Sequence, residues 1–229
     1  MSSTRYALQS AKNAIVFMNP SPLPSPGEIR DFPWDLIHWL IVNEGETRGL
    51  YQALISDVQK NQLGLQPMIT TMSTRELVSS LSSVPKLQKT NIICTLGANG
   101  VLAFIPRFHR PRTNNETPSF MYLPAAKLVG GGVKDTTGAG DTFTGYFVQG
   151  IMEFGSGAEV GQDIGETDVM RVLKVCVQVS RPSLLCCLLG HTVQALSRLQ
   201  ACVSRDLEQS IVYPQGRKLK RGSIAPNKQ

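Results

Sequence analysis

The sequence has no uninterrupted apolar run approaching the ~18 to 20 residues that cross a bilayer, so no membrane-spanning helix is expected. Polar residues are spread through its first thirteen positions and no apolar h-region is present, which argues against a secretory signal. Cys94, Cys176, Cys186, Cys187 and Cys202 lack Cys-x-x-Cys spacing, so zinc and dithiol redox motifs are excluded and reduced structural thiols are expected. His38, His109 and His191 stand far apart without ligand spacing, which removes a histidine metal centre. Acidic residues are absent beyond Pro214, where Arg217, Lys218, Lys220, Arg221 and Lys228 supply five of the net +6 charges. The basicity therefore belongs to a tail. Residues 214–229 read as a solvated, disordered end, with a localisation or nucleic-acid patch as the other reading. Nucleic acid and membrane are not expected partners. The expected compartment is the cytosol, with the nucleus as the alternative that the tail leaves open.

What is present fits a globular α/β protein. The 229 residues suit one domain with a small appendage, and strand-like and helix-like segments alternate without internal repeats or heptads. The most informative stretch is Asp135-Thr136-Thr137-Gly138-Ala139-Gly140-Asp141-Thr142-Phe143. Gly138 and Gly140 allow a tight turn in which successive N–H groups face one point, an arrangement suited to an anion. Phe143, Phe147, Ile151 and Phe154 come next at helical spacing, predicting a helix from near Gly140 whose amino end reinforces the same site. Asp141 beside such a cradle is poorly placed to hold phosphate but suited to take a proton from an attacking hydroxyl. The glycines alone would be equally well explained by a turn leading to an acidic residue that complements the helix dipole.

Nearer the amino terminus, residues 14–18 read as a buried strand ended by Asn19-Pro20, and prolines at 20, 22, 24, 26 and 33 forbid regular structure over much of the next segment. Residues 34–42 fit a second buried strand with a short turn ahead of it. Asn43 and Glu46 then form the pattern of a capping box before Leu50, Leu54 and Val58. A further helix is predicted over 74–81. Strands are predicted over 92–95 and 101–105, joined by a hairpin in which Asn99-Gly100 tolerate positive φ. Residues 107–119 read as an exposed loop, 120–123 and 127–129 as short strands, 155–165 as a loop and 167–179 as a helix. A last helix is expected over 184–199.

The aspartate-flanked string closely resembles the C-terminal signature of ribokinase-like (PfkB) carbohydrate kinases, Asp-Thr-x-Gly-Ala-Gly-Asp-x-Phe. Asn43-x-x-Glu46 is similar to the family's second motif, Thr95-x-Gly97-x-x-Gly100 to its nucleotide-contacting strand end, and Pro124-Ala125-Ala126-Lys127 to the strand before the signature. The implied fold is an α/β, ribokinase-like Rossmann-type sheet flanked by helices, lacking the N-terminal part and the β lid. The resemblance covers residues 14–181 as a partial kinase domain, with a divergent segment, 182–213, after it. Gly130, Gly131, Gly132 and Lys134 depart from the pattern, and after Val179-Ser180-Arg181 the match stops.

The activity implied is transfer of the γ-phosphoryl of ATP to an alcohol of a sugar, with ribose favoured. The resemblance implies Asp141 as general base, with Gly138, Ala139 and Gly140 as N–H donors to the phosphoryl group. It further implies Thr95, Gly97 and Gly100 at the nucleotide, and Asn43 and Glu46 at Mg²⁺ through water. Asp135 and Thr137 match positions that line a K⁺ site in many members. Full-length members include homodimers held by the lid, an assembly not expected where the lid is lacking. A catalytically silent nucleotide-binding or interaction module is the competing class, since the sugar-holding half of the family pattern is not found.

Overall fold

The computed structural model describes residues 2–10, 14–55, 71–113, 115–126, 138–154 and 164–179. All of these lie in the first of two compact units, Met1–Cys187. The strand expected at 127–129, most of the loop at 155–165, the helix at 184–199 and the segments 182–213 and 214–229 fall outside the described residues.

Helix α1 (Ser2–Ser10) precedes a two-residue strand, β1 (Phe17–Met18). Helix α2 (Pro26–Asp31) and a 3-10 turn (Trp34–Leu36) lead into β2 (Trp39–Asn43). Helices α3 (Glu44–Leu54) and α4 (Thr74–Ser82) come next, then β3 (Asn91–Thr95) and β4 (Val101–Phe104). A single helical turn, α5 (Pro106–His109), strand β5 (Met121–Leu123) and helices α6 (Ala139–Phe154) and α7 (Glu166–Val179) complete the described elements. The strands form one sheet in the order β1-β2-β3-β4-β5. The first three run parallel, and β4 and β5 are antiparallel to their neighbours. This is the expected helix-flanked α/β sheet, with a mixed strand pattern.

The period-two geometry of strands divides the apolar residues into two cores, one on each face. Leu40, Val42, Ile92, Cys94, Leu102 and Phe104 point to a layer containing Leu50 of α3 and Leu77 and Leu81 of α4. Trp39, Ile41, Ile93, Val101 and Ala103 point to the opposite layer, where Phe143, Phe147 and Ile151 of α6 meet Val169, Val172, Leu173 and Cys176 of α7. Burial on both faces explains why β2, β3 and β4 read as continuous apolar runs instead of alternating ones. Trp34 is fully buried, and its indole Nε1–H is satisfied by the Ile29 carbonyl at 2.7 Å.

Three expectations are corrected. The first strand is shorter than residues 14–18 and only half-buried, since β1 pairs with β2 alone among the described residues. The second strand begins at Trp39 because the Trp34–Leu36 turn occupies the start of the predicted run. Residues 107–119 are not uniformly an exposed loop. Pro106 starts α5, and His109 is buried, accepting the Ile105 N–H on Nδ1 at 2.8 Å. That leaves Nε2 to carry the ring hydrogen and donate to Glu166 Oε1 at 3.2 Å, linking α5 to the first turn of α7.

Candidate active site at the carboxyl edge of the parallel strands

In an open α/β sheet, ligands gather beyond the carboxyl ends of the parallel strands, where loops and helix amino ends converge. Here that edge carries three polar residues in a row: Asn19 after β1, Asn43 ending β2 and Thr95 ending β3. Asn43 and Thr95 are register partners, so these two motifs, 52 positions apart in sequence, are adjacent in space. Strand β1 stops lower. Met18 pairs with Leu40, three residues before Asn43, which leaves a step of about 10 Å at the edge.

Asn43 is the N-cap of α3. Its Oδ1 accepts the Glu46 N–H at 2.8 Å, and Glu46 Oε2 accepts the Asn43 N–H at 2.9 Å. The capping-box expectation is met. The same reciprocal cap starts α2 at Ser25/Glu28 and α4 at Ser73/Glu76, so capping alone explains the Asn-x-x-Glu pattern. What separates this cap is its place, directly on the end of a parallel strand. Glu46 Oε1 and Asn43 Nδ2 have no partner among the described residues, and Asn43 is exposed. Neighbouring Glu44 accepts the Thr74 hydroxyl through Oε1 at 2.9 Å, tying the starts of α3 and α4 together.

The β3–β4 connection is longer than a two-residue hairpin. Gly97–Asn99 form a 3-10 turn, and the positive-φ positions fall on Gly97 at 55° and Gly100 at 101°. Thr95 Oγ1 donates to the Val42 carbonyl at 3.4 Å, while Gly97 is exposed and Gly100 is buried. Tyr122 donates its hydroxyl to the Asn99 carbonyl at 2.8 Å, fixing the loop to β5.

Gly138 adopts φ 75°, the left-handed turn that its position in the glycine string predicts, and its carbonyl accepts the Thr142 N–H at 2.9 Å to open α6. Asp141 stands exposed in the first helical turn. Apart from its own chain neighbours and helix backbone, a Cβ added at Gly138 or Gly140 would meet no atom of the described residues within 4 Å, so packing among them does not account for either glycine. A helix start in general leaves its first N–H groups without intrahelical partners, an arrangement suited to an anion. Asp135 and Thr137 lie outside the described residues. Among the described residues no cluster of three or more His, Cys, Asp or Glu could hold a metal. An ion that keeps most of its waters needs only one or two carboxylates, and Glu46 has one carboxylate oxygen outside its capping box.

Phe143, Phe147 and Ile151 place α6 on the sheet. Phe147 meets Trp39 edge-on at 5.1 Å and Phe17 at 6.4 Å. The side chain of Phe154 is outside those described. Among the described residues, one polar side-chain link joins the start of α6 to the strand edge: Asn19 Nδ2 donates to Thr144 Oγ1 at 3.0 Å. The sequence alone does not single out Asn19, which reads there only as part of a strand-ending Asn-Pro pair. The available signal is that it comes after a parallel strand, as Asn43 and Thr95 end theirs. Cys94, just inside the edge, is a buried free thiol. Burial raises its thiol to about 12, against a smaller lowering by the Thr47 hydroxyl 3.3 Å away.

A family model described as pfkB family carbohydrate kinase matches residues 2–164. The chain is 34% identical to the ribokinase of Cryptococcus neoformans var. grubii serotype A, solved in complex with ADP, with a TM-score of 0.55, covering 78% of this chain and 49% of that one. A fructokinase double mutant from Vibrio cholerae O395, in its fructose-, ADP- and potassium-bound form, shares the fold at 19% identity and TM-score 0.50, covering 89% of this chain and 54% of that one. The chain thus spans about half the length of these solved structures. The mixed sheet, its polar carboxyl edge and the glycine turn opening α6 agree with the match: the chain belongs to the pfkB family of carbohydrate kinases.

Proposed function

We propose that the carboxyl edge of this sheet is a nucleotide-phosphate site serving ATP-dependent phosphorylation of a sugar alcohol. The observation that carries the reading is the left-handed turn at Gly138 running into the amino end of α6, with Asp141 in its first turn. The N–H groups of Gly138, Ala139 and Gly140 would donate to the charge gathering on the transferred phosphoryl oxygens. Asp141 would accept the proton of the sugar hydroxyl as that oxygen bonds to the γ-phosphorus and the bond to the bridging oxygen of ADP breaks. Thr95, Gly97 and Gly100 would border the nucleotide, and Asn43 with Glu46 would hold hydrated Mg²⁺, which neutralises phosphate charge when bound. Asp135 and Thr137 are proposed for K⁺ on the family pattern alone. Ribose is favoured as acceptor by the likeness to the Cryptococcus ribokinase.

The test is ADP formation by the full chain with Mg-ATP and ribose or fructose, beside Asp141→Asn. Sugar-dependent turnover that falls by about 10² to 10⁴ in the variant, with Mg-ADP affinity retained, supports the reading. Turnover unchanged in Asp141→Asn removes the base assignment. Mg-ADP binding by the wild type without any sugar-dependent turnover would instead support a nucleotide-binding module.

A further inference from the structure

Asn19 Oδ1 is a shielded acceptor with no hydrogen-bond partner, the only such side-chain atom among the described residues. A buried polar atom left unpaired carries a desolvation cost, so its presence calls for an explanation beyond packing. Its amide is not idle: Nδ2 donates to Thr144 Oγ1 across 125 positions of sequence. Among the described residues this is the only side-chain hydrogen bond that another element makes with the first two turns of α6. The apolar contacts of that helix begin at Phe143, next to Thr144, and continue through Phe147 and Ile151, while its close approach at Gly150 to Val172 of α7 lies further along it. Thr144 is three residues after Asp141, and residues at that spacing are surface neighbours on a helix. The bond therefore adds a polar tie, beside the apolar anchor at Phe143, between the start of α6 and the residue that follows β1.

From this geometry we infer that Asn19 is a positioning residue of the phosphate site, holding Gly138 to Asp141 at the strand edge through Thr144. The inference rests on the reading of the α6 amino end as a phosphate site. Asn19 touches no reacting atom and acts only through the helix. The orphaned Oδ1 is the residue's second polar end, turned away from Thr144 because the amide is oriented by the Nδ2 bond.

The experiment measures Mg-ADP affinity by calorimetry on the full chain, with thermal midpoints recorded for every variant. Thr144→Val removes the acceptor of the Nδ2 bond, Asn19→Ala removes the donor, and Thr144→Ser restores a hydroxyl. Each of the first two should weaken Mg-ADP about threefold to tenfold, the effect of one hydrogen bond. The double variant should be no weaker than Asn19→Ala alone, and Thr144→Ser should bind as the wild type does. Thermal midpoints that fall while affinity stays constant would show a purely structural link and overturn the inference, as would additive losses in the double variant. A wild type that binds no Mg-ADP would instead overturn the phosphate-site reading itself and this inference with it. Wild-type binding that Thr144→Val leaves untouched removes the role of Asn19 alone.

Discussion

Gly100→Ala offers the sharpest test of how the edge loop is built. Gly100 sits at φ 101° and ψ −134°, a region reached almost only by glycine. Forcing an L side chain there costs about 1–3 kcal/mol. The methyl group would also overlap the Leu123 carbonyl oxygen and lie 2.7 Å from both Ala125 N and the Pro124 carbonyl carbon. Those atoms belong to the backbone at and just beyond the end of β5, so they cannot rotate away as a side chain would, and overpacking of this kind adds about 1–3 kcal/mol. The sum, about 2–6 kcal/mol, is a large part of the ~5–15 kcal/mol that stabilises a domain. Gly97→Ala is the matched control. Gly97 also has positive φ, at 55°, but a Cβ there meets nothing within 4 Å. Its cost is the left-handed conformation alone, about 1–2 kcal/mol, part of which is offset by the stiffer unfolded chain. Urea unfolding of both variants, monitored by circular dichroism, should place the Gly100→Ala midpoint well below that of Gly97→Ala. Equal midpoints would refute the argument that Leu123 to Ala125 close over Gly100.

The packing and the charges give three further expected outcomes. Gly150→Ala should destabilise by about 1–3 kcal/mol, because the new methyl would sit 2.7 Å from Val172 Cγ1 and 2.9 Å from Cγ2. Adding Val172→Ala should recover part of that loss in the same urea experiment. Glu76 is held below the usual glutamate range by the Ser73 N–H and then the Ser73 hydroxyl. Its folded-state value is the lower one, so its contribution is complete above the ordinary glutamate value and disappears as pH falls through the folded one. The urea-midpoint difference between wild type and Glu76→Gln should accordingly shrink as pH drops below about 4. Cys94 and Cys176, both buried and both pushed up to about 12 chiefly by desolvation, should escape iodoacetamide in the folded protein at pH 8. Peptide mapping by mass spectrometry reads this directly, and labelling at either position before unfolding would contradict the packing of its core.

The elements visible in the sequence are those whose signal is local. Strands β2, β3 and β4 show as unbroken apolar runs because both faces are covered, and α3 and α6 announce their starts through Asn43/Glu46 and the turn at Gly138. The pairing of Asn43 with Thr95 is implied only by the family resemblance, since register between parallel strands leaves no mark in either segment. His109 is hidden for a related reason. Its hydrogen-bond partner is Glu166, 57 positions away, and nothing in a polar, arginine-bearing stretch marks one histidine as an interior link.

Asn19 is the extreme case, and it shows why a strand-ending residue should be judged by its edge and not by its neighbours in sequence. Beside Pro20 it reads as a strand terminator, and that reading is correct as far as local structure goes. The parallel sheet adds what the local reading omits: a residue that ends a parallel strand stands on the edge where ligands gather, so a polar side chain there has partners that come from distant elements. Asn43, Thr95 and Asn19 all satisfy this condition, yet only the first two belong to spacings that resemble a motif. The third is found through its hydrogen bond to Thr144, which ties the glycine turn of α6 to the same strand edge.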